Sequence, residues 1–321
     1  MASKTCDFFS NVKETKIEWL WYPYIPYGKL TVLQGDPGDG KSTFILNIAA
    51  LLTRGKAMPD GYAVKEAQAV IYQCAEDNLS DTIKPRLLAA GADCERVAFI
   101  CDAESRLTIE DSRIEEAIKE TGARLLILDP LQSFVPLDSD MHNASHMRSA
   151  LGKLAIIAER YRCAIVLVGH MNKTSGGKNL YRSLGSIDIV AIARSVLMIE
   201  RDEDNPEFRY MYPIKSSLSK EGNGIRFRFT ANGIEWNVYG KLESSPKLQE
   251  RKSSKRDQCV SILAGLLKNG SRKSVEIENL ISAKGISKRT IGTVKKELGI
   301  ISYRKNGIWY WNLPEGEIED G

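Results

Sequence analysis

One nine-residue stretch limits the folds open to this chain of 321 residues more than any other feature. Residues 35–43, GDPGDGKST, match the spacing G-x-x-x-x-G-K-[ST], in which backbone N–H groups surround nucleotide phosphates. Such a loop joins a strand to a helix, and here strand-like LTVLQ precedes it and helix-like STFILNIAALLTR follows it. The predicted phosphate-binding residues are Gly35, Asp36, Pro37, Gly38, Asp39, Gly40, Lys41, Ser42 and Thr43.

A bound nucleoside triphosphate needs a cation and a carboxylate near the loop. Lys41 is expected to contact the β- and γ-phosphates, and Ser42 is expected to ligate Mg²⁺. Asp129 ends the apolar run RLLILD, so a buried strand would carry its carboxylate to the sheet edge where ligands bind. We therefore predict Asp129 as the second Mg²⁺ ligand, acting through water, with a helix N-cap role before Pro130 as the alternative.

Hydrolysis also needs a group that orients the attacking water. Glu76 and Asp77 both follow the strand-like VIYQCA, and we favour Glu76 with Asp77 as the alternative. His170 ends IVLVG at the same predicted edge, where a histidine can sense the γ-phosphate, although a structural histidine is the alternative.

The nucleotide is predicted to be ATP rather than GTP. Most GTPases read guanine with N-K-x-D, and the nearest match, residues 172–175, reads NKTS and lacks the aspartate. The D-x-x-G switch is absent as well, because PLQ follows Asp129.

Short apolar runs alternate with helical patterns from residue 30 to about 239, which indicates an α/β domain with a mainly parallel sheet. The strand-like runs are LTVLQ (30–34), AVIYQCA (69–75), RVAFICD (96–102), RLLILD (124–129), CAIVLVGH (163–170) and SVLMIE (195–200). Three later runs, FRYMYPIKS, IRFRFT and IEWNVYG, are predicted to close the sheet with antiparallel strands.

The C-terminal part of the chain carries more positive charge than the rest. Residues 241–313 carry sixteen Lys and Arg against six Asp and Glu, although the whole chain has a formal net charge of only +4. We predict an α/β domain at 1–240, a basic linker at 241–256, a small domain at 257–313 and an acidic tail at 314–321. The basic excess favours a nucleic-acid partner over a merely solvated surface.

The small domain has the outline of a winged helix-turn-helix. Three helical stretches precede IISYRKNGIWYWNL, in which Asn306-Gly307 predicts a hairpin, and Ser287 and Gly299 are expected to cap the third helix. Trp309, Tyr310 and Trp311 are predicted to cover its core. The predicted DNA-binding residues are Lys288, Arg289, Lys295, Lys296, Arg304 and Lys305. A protein-interaction module is the alternative.

The remaining composition favours a cytoplasmic protein. The six cysteines are scattered with no C-x-x-C pair, which suits a reducing compartment and argues against zinc. We expect neither a secretory signal nor a membrane span, because the first residues are charged and no apolar run approaches eighteen residues.

From about Trp19 to Trp236 the chain resembles the RepA-like branch of the RecA-like P-loop ATPases, whose members include hexameric replicative helicases. The resemblance rests on WLWYPYIPYGKLTVLQGDPGDGKST, CAEDN, LLILDPLQSF, GHMNK, YRSLGSIDIVAIARSVLMI and IKSSL. It implies Glu76 as the catalytic carboxylate, His170 as the sensor and Arg194 as an arginine finger for a neighbouring subunit's ATP. A surface ion pair is the alternative role for Arg194.

Two further features follow from this resemblance. The glycine-rich segment 173–186, with Lys173, Lys178 and Arg182, matches the loop that holds single-stranded DNA in the channel of such rings, although a plain flexible loop is the alternative. Bacterial replicative helicases often have a Lys-x-Arg pair here, but this chain has Lys215 followed by two serines. The missing arginine strengthens the prediction that Arg194 is the arginine finger.

The sequence thus predicts a Mg²⁺-dependent, DNA-stimulated ATPase that works as a homo-oligomeric ring, with helicase activity as its first use. The alternative is an ATP-controlled DNA-binding regulator or recombination mediator that does not unwind DNA. A small-molecule kinase is disfavoured, because no substrate lid is evident and the small domain would have no role.

Overall fold

The computed structural model describes residues 6–136, 144–170, 187–202, 205–220, 222–230, 233–237, 255–267 and 270–313. Contacts divide the chain into two compact units, residues 1–242 and residues 243–321. The acidic tail and the predicted DNA-binding loop at 173–186 lie outside the described residues, as does the linker except for its last two residues.

The first unit contains eleven described strands and five described α-helices. The strands are β1 (Trp19–Trp21), β2 (Ile25–Pro26), β3 (Leu30–Gly35), β4 (Val70–Cys74), β5 (Val97–Ala98), β6 (Leu125–Asp129), β7 (Ala164–His170), β8 (Ser195–Arg201), β9 (Phe208–Ser216), β10 (Ile225–Thr230) and β11 (Gly233–Asn237). The helices are α1 (Lys41–Thr53), α2 (Lys84–Ala89), α3 (Ser112–Thr121), α4 (Ala144–Tyr161) and α5 (Ile187–Ile192).

A nine-stranded sheet forms the centre of this unit, in the order β11-β10-β9-β8-β3-β7-β6-β4-β5. The six strands from β8 to β5 pair in parallel, whereas β9, β10 and β11 add antiparallel strands at one side. The prediction of a mainly parallel sheet is therefore confirmed. Near-continuous apolar strands suit this architecture because apolar side chains pack on both faces of the sheet, in two separate core clusters.

The register brings the predicted site to one edge. Gly35 pairs with His170 across β3 and β7, and Cys74 pairs with Asp129 across β4 and β6. Since the carboxyl ends of parallel strands meet at one edge, the loop after β3, the residues after β4 and Asp129 share that edge.

The strand predicted at 96–102 is wrong beyond its first residues, because β5 contains only Val97 and Ala98. The backbone that follows hydrogen-bonds to side chains instead of extending the ladder. The Ile100 N–H donates to Gln73 Oε1 at 2.8 Å, and the Cys101 carbonyl accepts from Arg113 Nη1 at 2.9 Å.

The second unit contains α6 (Lys255–Leu267), α7 (Ser274–Ala283), α8 (Lys288–Glu297), β12 (Arg272–Lys273), β13 (Ile301–Lys305) and β14 (Ile308–Asn312). The strands form an antiparallel sheet in the order β12-β14-β13. Asn306 and Gly307 turn the hairpin with φ values of 50° and 81°, as an Asn-Gly turn requires. Ser287 caps α8, its Oγ accepting from the Thr290 N–H at 3.2 Å.

Helix and sheet enclose a small apolar core in this unit, which includes Leu263, Ile277, Ile291 and Trp311. The prediction that all three aromatic residues of β14 cover this core is wrong for Trp309, which is 51% exposed. Trp309 and Trp311 are two positions apart and share a face of β14, but only Trp311 belongs to the buried core, whereas Tyr310 stacks on Tyr303 with ring centroids 5.8 Å apart.

No helix among the described residues meets the length and hydropathy of a bilayer-spanning segment.

Candidate active site

The loop between β3 and α1 folds as its glycines predict. Gly38 and Gly40 have φ values of 84° and 86°, in the left-handed region that glycine adopts without strain. Asp36 and Asp39 close the loop reciprocally: the Asp39 N–H donates to the Asp36 carbonyl at 3.2 Å, and the Asp36 N–H donates to Asp39 Oδ2 at 3.1 Å. The N-terminus of α1 therefore opens onto a preformed turn, the arrangement that binds phosphate.

Lys41 lies inside this turn. Its side chain belongs to a residue only 4% exposed, and its Nζ donates to the carbonyls of Gly35 at 2.9 Å and Asp36 at 2.8 Å. Burial lowers the pKa of Lys41, while nearby Asp39 and Asp129 oppose that shift. The two carbonyls occupy the ammonium donors that a phosphate would use, so phosphate binding would exchange these contacts for charge-assisted ones.

Asp129 ends β6 and is only 4% exposed. Its Oδ2 accepts a hydrogen bond from the Tyr72 hydroxyl at 2.7 Å, which orients the carboxylate. Burial and the adjacent Asp129 raise the pKa of Tyr72, so the phenol stays a donor. The N-cap role considered for Asp129 is not observed, because Pro130 occupies the N-cap of the following 3₁₀ helix (Leu131–Phe134) without a side-chain cap.

The two acids after β4 differ in their surroundings. Asp77 is half-buried and forms an ion pair with Arg86, its Oδ2 lying 2.6 Å from Nη1. Glu76 is exposed and is among the carboxylates whose charge acts on the pKa of Lys41. Glu76 thus lies exposed near Lys41, whereas the Asp77 carboxylate is held by Arg86, and the catalytic role of either acid stays a prediction.

The side chains of Ser42 and Asp129 suit a magnesium ion. Both offer oxygen donors, which Mg²⁺ prefers, and the carboxylate is already oriented by Tyr72. Asp129 is also close enough to Lys41 to act on its pKa, so the two predicted ligand-binding groups belong to one site.

His170 pairs with Gly35 in the register of β3 and β7, so its backbone is adjacent to the first residue of the loop. Its side chain lies outside the described residues, as do Lys173, Lys178 and Arg182. Their predicted roles stay predictions.

Arg194 lies at the opposite edge of the sheet. Its N–H donates to the carbonyl of Leu30, the first residue of β3, and β8 then runs seven residues from Ser195 to Arg201 toward the phosphate loop. At about 3.3 Å per residue, Arg194 is roughly 20 Å from its own loop. Arg194 is exposed, and its backbone lies far from the phosphates that its own loop would bind.

Lys215 of β9 holds the segment before Arg194. Its Nζ donates to the carbonyls of Val190, Ala191 and Ala193, at 2.7, 3.0 and 2.7 Å, at the C-terminal end of α5. Burial, and then the charge of Arg194, lower the pKa of Lys215. This lysine is thus engaged in positioning the backbone that leads to Arg194.

Three residues that the sequence analysis did not identify lie beside the loop. Arg201 Nη2 donates to the Gly38 carbonyl at 3.0 Å, and Phe229 and Arg209 follow on β10 and β9. Only the antiparallel pairing of β8, β9 and β10 brings them to this edge, and no local sequence signal marks that contact.

The close approach of β8 to the loop gives a stability prediction. A Cβ at Gly35 would lie 2.4 Å from the Ile199 carbonyl oxygen, so Gly35→Ala should lower the free energy of unfolding by about 1–3 kcal/mol. Gly152→Ala in α4 is the matched control, because a Cβ there meets nothing within 4 Å and should stabilise the helix by about 0.5–1 kcal/mol. Urea denaturation without nucleotide measures both, and equal effects would contradict the proposed clash.

The basic residues of the second unit are not equivalent. Lys288, Arg289, Lys296 and Lys305 are exposed. Lys295 instead lies over the Trp311 ring with Nζ 4.4 Å from the ring centroid, and Arg304 Nε donates to the Gly307 carbonyl at 3.2 Å. Lys295 and Arg304 therefore have contacts within the unit that the other four predicted DNA-binding residues do not share.

Comparisons with known proteins agree with this geometry. The model of the AAA domain family matches residues 3–176, more than half of the chain. DNA repair protein RadA of Halalkalibacterium halodurans is 28% identical over 212 residues, which cover 65% of this chain and 40% of that protein. RadA of Synechocystis is 25% identical over 152 residues, 46% of this chain and 29% of that protein.

The chain thus spans less than half the length of these curated relatives. Among solved structures, a KaiC-like protein from the archaeon Pyrococcus horikoshii superposes with a TM-score of 0.50 and 20% identity, covering 67% of this chain and 91% of that one. That likeness shows the fold alone. The chain belongs to the AAA domain family and has the fold of a RecA-like P-loop ATPase.

Proposed function

We propose that the protein is a Mg²⁺-dependent ATPase coupled to DNA, working as a homo-oligomeric ring of the RepA-like helicase type, with six subunits. The observation that carries the proposal is the meeting of Lys41, Asp129 and Glu76 at one sheet edge. One cation and two carboxylates beside a phosphate-binding turn are the groups that ATP hydrolysis requires.

In the proposed mechanism the loop binds the triphosphate through its backbone N–H groups and Lys41. Ser42 and Asp129 would hold Mg²⁺, which would neutralise charge on the β- and γ-phosphates. Tyr72 keeps the Asp129 carboxylate oriented through its hydroxyl hydrogen bond. Glu76 orients the attacking water and accepts its proton.

The distance between Arg194 and its own loop supports a shared site. A guanidinium at the far edge of the sheet can complete only a neighbouring subunit's site, so hydrolysis would depend on assembly. Lys215 supports this role by holding the end of α5 just before Arg194. Rings are the closed form of such head-to-tail contacts.

DNA coupling is proposed through both units. His170 would sense the γ-phosphate at the end of β7, and the following residues Lys173, Lys178 and Arg182 would contact the backbone of single-stranded DNA. The second unit would act as a winged helix, with α8 in the major groove and the β13–β14 hairpin on the phosphates. The RadA relatives, named for DNA repair, support a DNA-linked role.

A cytoplasmic location is part of the proposal. All six cysteines are free thiols, and Cys6 and Cys101 are exposed, which suits a reducing compartment.

Measuring phosphate release from ATP, with no acceptor metabolite added, tests whether the protein hydrolyses ATP. Wild-type protein should release phosphate, and Lys41→Ala should abolish the activity. Activity that appears only with an added small-molecule acceptor would identify a kinase instead. Nucleotide binding without turnover would favour the ATP-controlled regulator.

The contacts in the second unit give a prediction for DNA binding. Arg289→Ala and Lys296→Ala should each weaken duplex binding and reduce the slope of log K against log salt by about 1, as loss of a phosphate contact does. Lys273→Ala is the matched control, because Lys273 forms an ion pair with Glu276 at 3.3 Å. Fluorescence anisotropy over a series of salt concentrations measures the slopes. Unchanged slopes in both variants would contradict a DNA-binding role for α8.

A further inference from the structure

The three-stranded sheet of the second unit has one face that does not pack against the helices. Cross-strand pairing places Tyr303 beside Tyr310 and Lys305 beside Ile308, and residues paired in this way share a face of the sheet. The opposite face carries Trp311, which joins the core formed with the helices. We call the face that carries the two tyrosines the outer face.

The outer face exposes large apolar side chains. Ile301 is 53% exposed, Tyr303 is 38% exposed and Ile308 is 42% exposed. All three lie outside the core that the described residues of this unit form. Because neighbouring apolar side chains on a surface mark a site of interaction, the outer face is a candidate binding surface.

The two tyrosines of the outer face form a fixed flat surface. Their ring centroids are 5.8 Å apart and their planes differ by 19°, so the rings are stacked. The Tyr303 hydroxyl donates to Ser271 Oγ at 2.8 Å. Ser271 precedes β12 and β14 lies between β12 and β13, so this bond holds the Tyr303 ring across the sheet. A ring that is already held loses little further freedom when a flat ligand stacks on it.

The charge of this sheet favours an anionic ligand. Its three strands contain no acidic residue and four basic residues, Arg272, Lys273, Arg304 and Lys305. Lys273 lies 3.3 Å from Glu276, which neutralises part of its charge. Lys305 is exposed on the outer face itself, beside Ile308. Aromatic rings next to positive charge match the bases and phosphates of a nucleic acid.

We propose that the outer face is a stacking platform for single-stranded DNA, with bases on the Tyr303–Tyr310 pair and a phosphate beside Lys305. Aromatic rings stack on unpaired bases of any sequence, whereas the bases of a duplex already stack on one another. The inference rests on the DNA coupling in the proposed function and deepens it. Because α8 packs on the other face of the sheet, one unit would contact duplex and single strand on opposite sides.

Photocrosslinking locates the bound single strand directly. The full chain is irradiated with oligothymidylate in which some bases are 5-iodouracil, which crosslinks to aromatic rings on which it stacks, and the crosslinked peptides are identified by mass spectrometry. Crosslinks should fall on Tyr303 or Tyr310. Unlabelled single-stranded DNA in excess should remove them, and the same amount of duplex should remove few of them.

Variants of the platform measure its affinity without interference from the segment 173–186. Tyr303→Leu keeps apolar bulk and removes one ring, so it should raise the DNA concentration that half-saturates crosslinking at Tyr310 by about 10-fold. Tyr310→Leu gives the reciprocal measurement at Tyr303, and Tyr303→Phe should behave as wild type. Lys305→Ala should reduce the salt slope at this site by about 1, whereas the leucine variants should not change it. Leu280→Ala is the matched control, since Leu280 is 51% exposed on α7 and away from the sheet.

The outcomes separate this inference from the proposed function. Crosslinks confined to other parts of the chain, or equal half-saturation in wild type and both leucine variants, would overturn the platform and leave DNA coupling intact. A leucine variant with a lower mass by light scattering but unchanged DNA binding would overturn it too, because the outer face would then contact a second copy of the chain. Protein that forms no crosslinks with DNA, and whose ATP turnover does not respond to DNA, would refute the proposed DNA coupling and the platform with it.

Discussion

Glu76→Gln should lower the rate of ATP hydrolysis by about 10²–10⁴-fold while ATP binding is nearly unchanged, because the amide orients water but cannot accept its proton. Glu76 is exposed at the edge where Lys41 and Asp129 meet, and its charge acts on the pKa of Lys41. Glutamine has the same shape, so the loop and the oriented Asp129 should stay intact. Single-turnover hydrolysis and equilibrium ATP binding together measure the effect.

Asp77→Asn is the matched control for this variant. Asp77 is the adjacent carboxylate, but its Oδ2 forms an ion pair with Arg86 at 2.6 Å. The ion pair is half-exposed, so its loss should cost little stability and only a small part of the activity. If Asp77→Asn instead stops hydrolysis and Glu76→Gln does not, the catalytic assignment is reversed.

Arg194→Ala should lower ATP turnover by about 10³-fold or more, the usual contribution of an arginine finger, while each subunit still binds ATP. The Arg194 backbone is roughly 20 Å from its own phosphate loop, counted along β8 at about 3.3 Å per residue. In the proposed ring, loss of the guanidinium would remove positive charge from a neighbour's transition state and leave the ATP contacts within the same subunit intact.

Mixing two inactive variants tests the trans arrangement. A mixture of Arg194→Ala and Glu76→Gln subunits should regain part of the activity, because some interfaces would pair an intact finger with an intact carboxylate. Activity that stays absent in mixtures shown to co-assemble would contradict a finger in trans. A surface ion-pair role would leave the single Arg194→Ala variant active.

The elements near the P-loop could be predicted from the sequence because their signals are local. The spacing of GDPGDGKST specifies the turn and the start of α1, and an apolar strand ending in an acid specifies where Asp129 lies. The Asn306-Gly307 turn is equally local, since the backbone angles it requires exclude most other residues.

Other parts of the site depend on contacts between distant segments. Tyr72 orients Asp129 across 57 positions of sequence, and Phe229 reaches Gly40 only because β10 is the third strand beyond β3 in the sheet. The shortened β5 has a similar cause. Gln73 binds the backbone at Ile100, and the apolar run at 96–102 carries no sign of that hydrogen bond.

ATP turnover with and without single-stranded DNA, on protein whose mass is measured by light scattering under the same conditions, tests the central claim most directly. The account predicts a ring of six subunits whose hydrolysis rises strongly when single-stranded DNA is added. A slow rate of hydrolysis that does not change when DNA is added, measured on a monomer or dimer, would contradict the DNA-coupled ring. The protein would then be better explained as an ATP-controlled regulator.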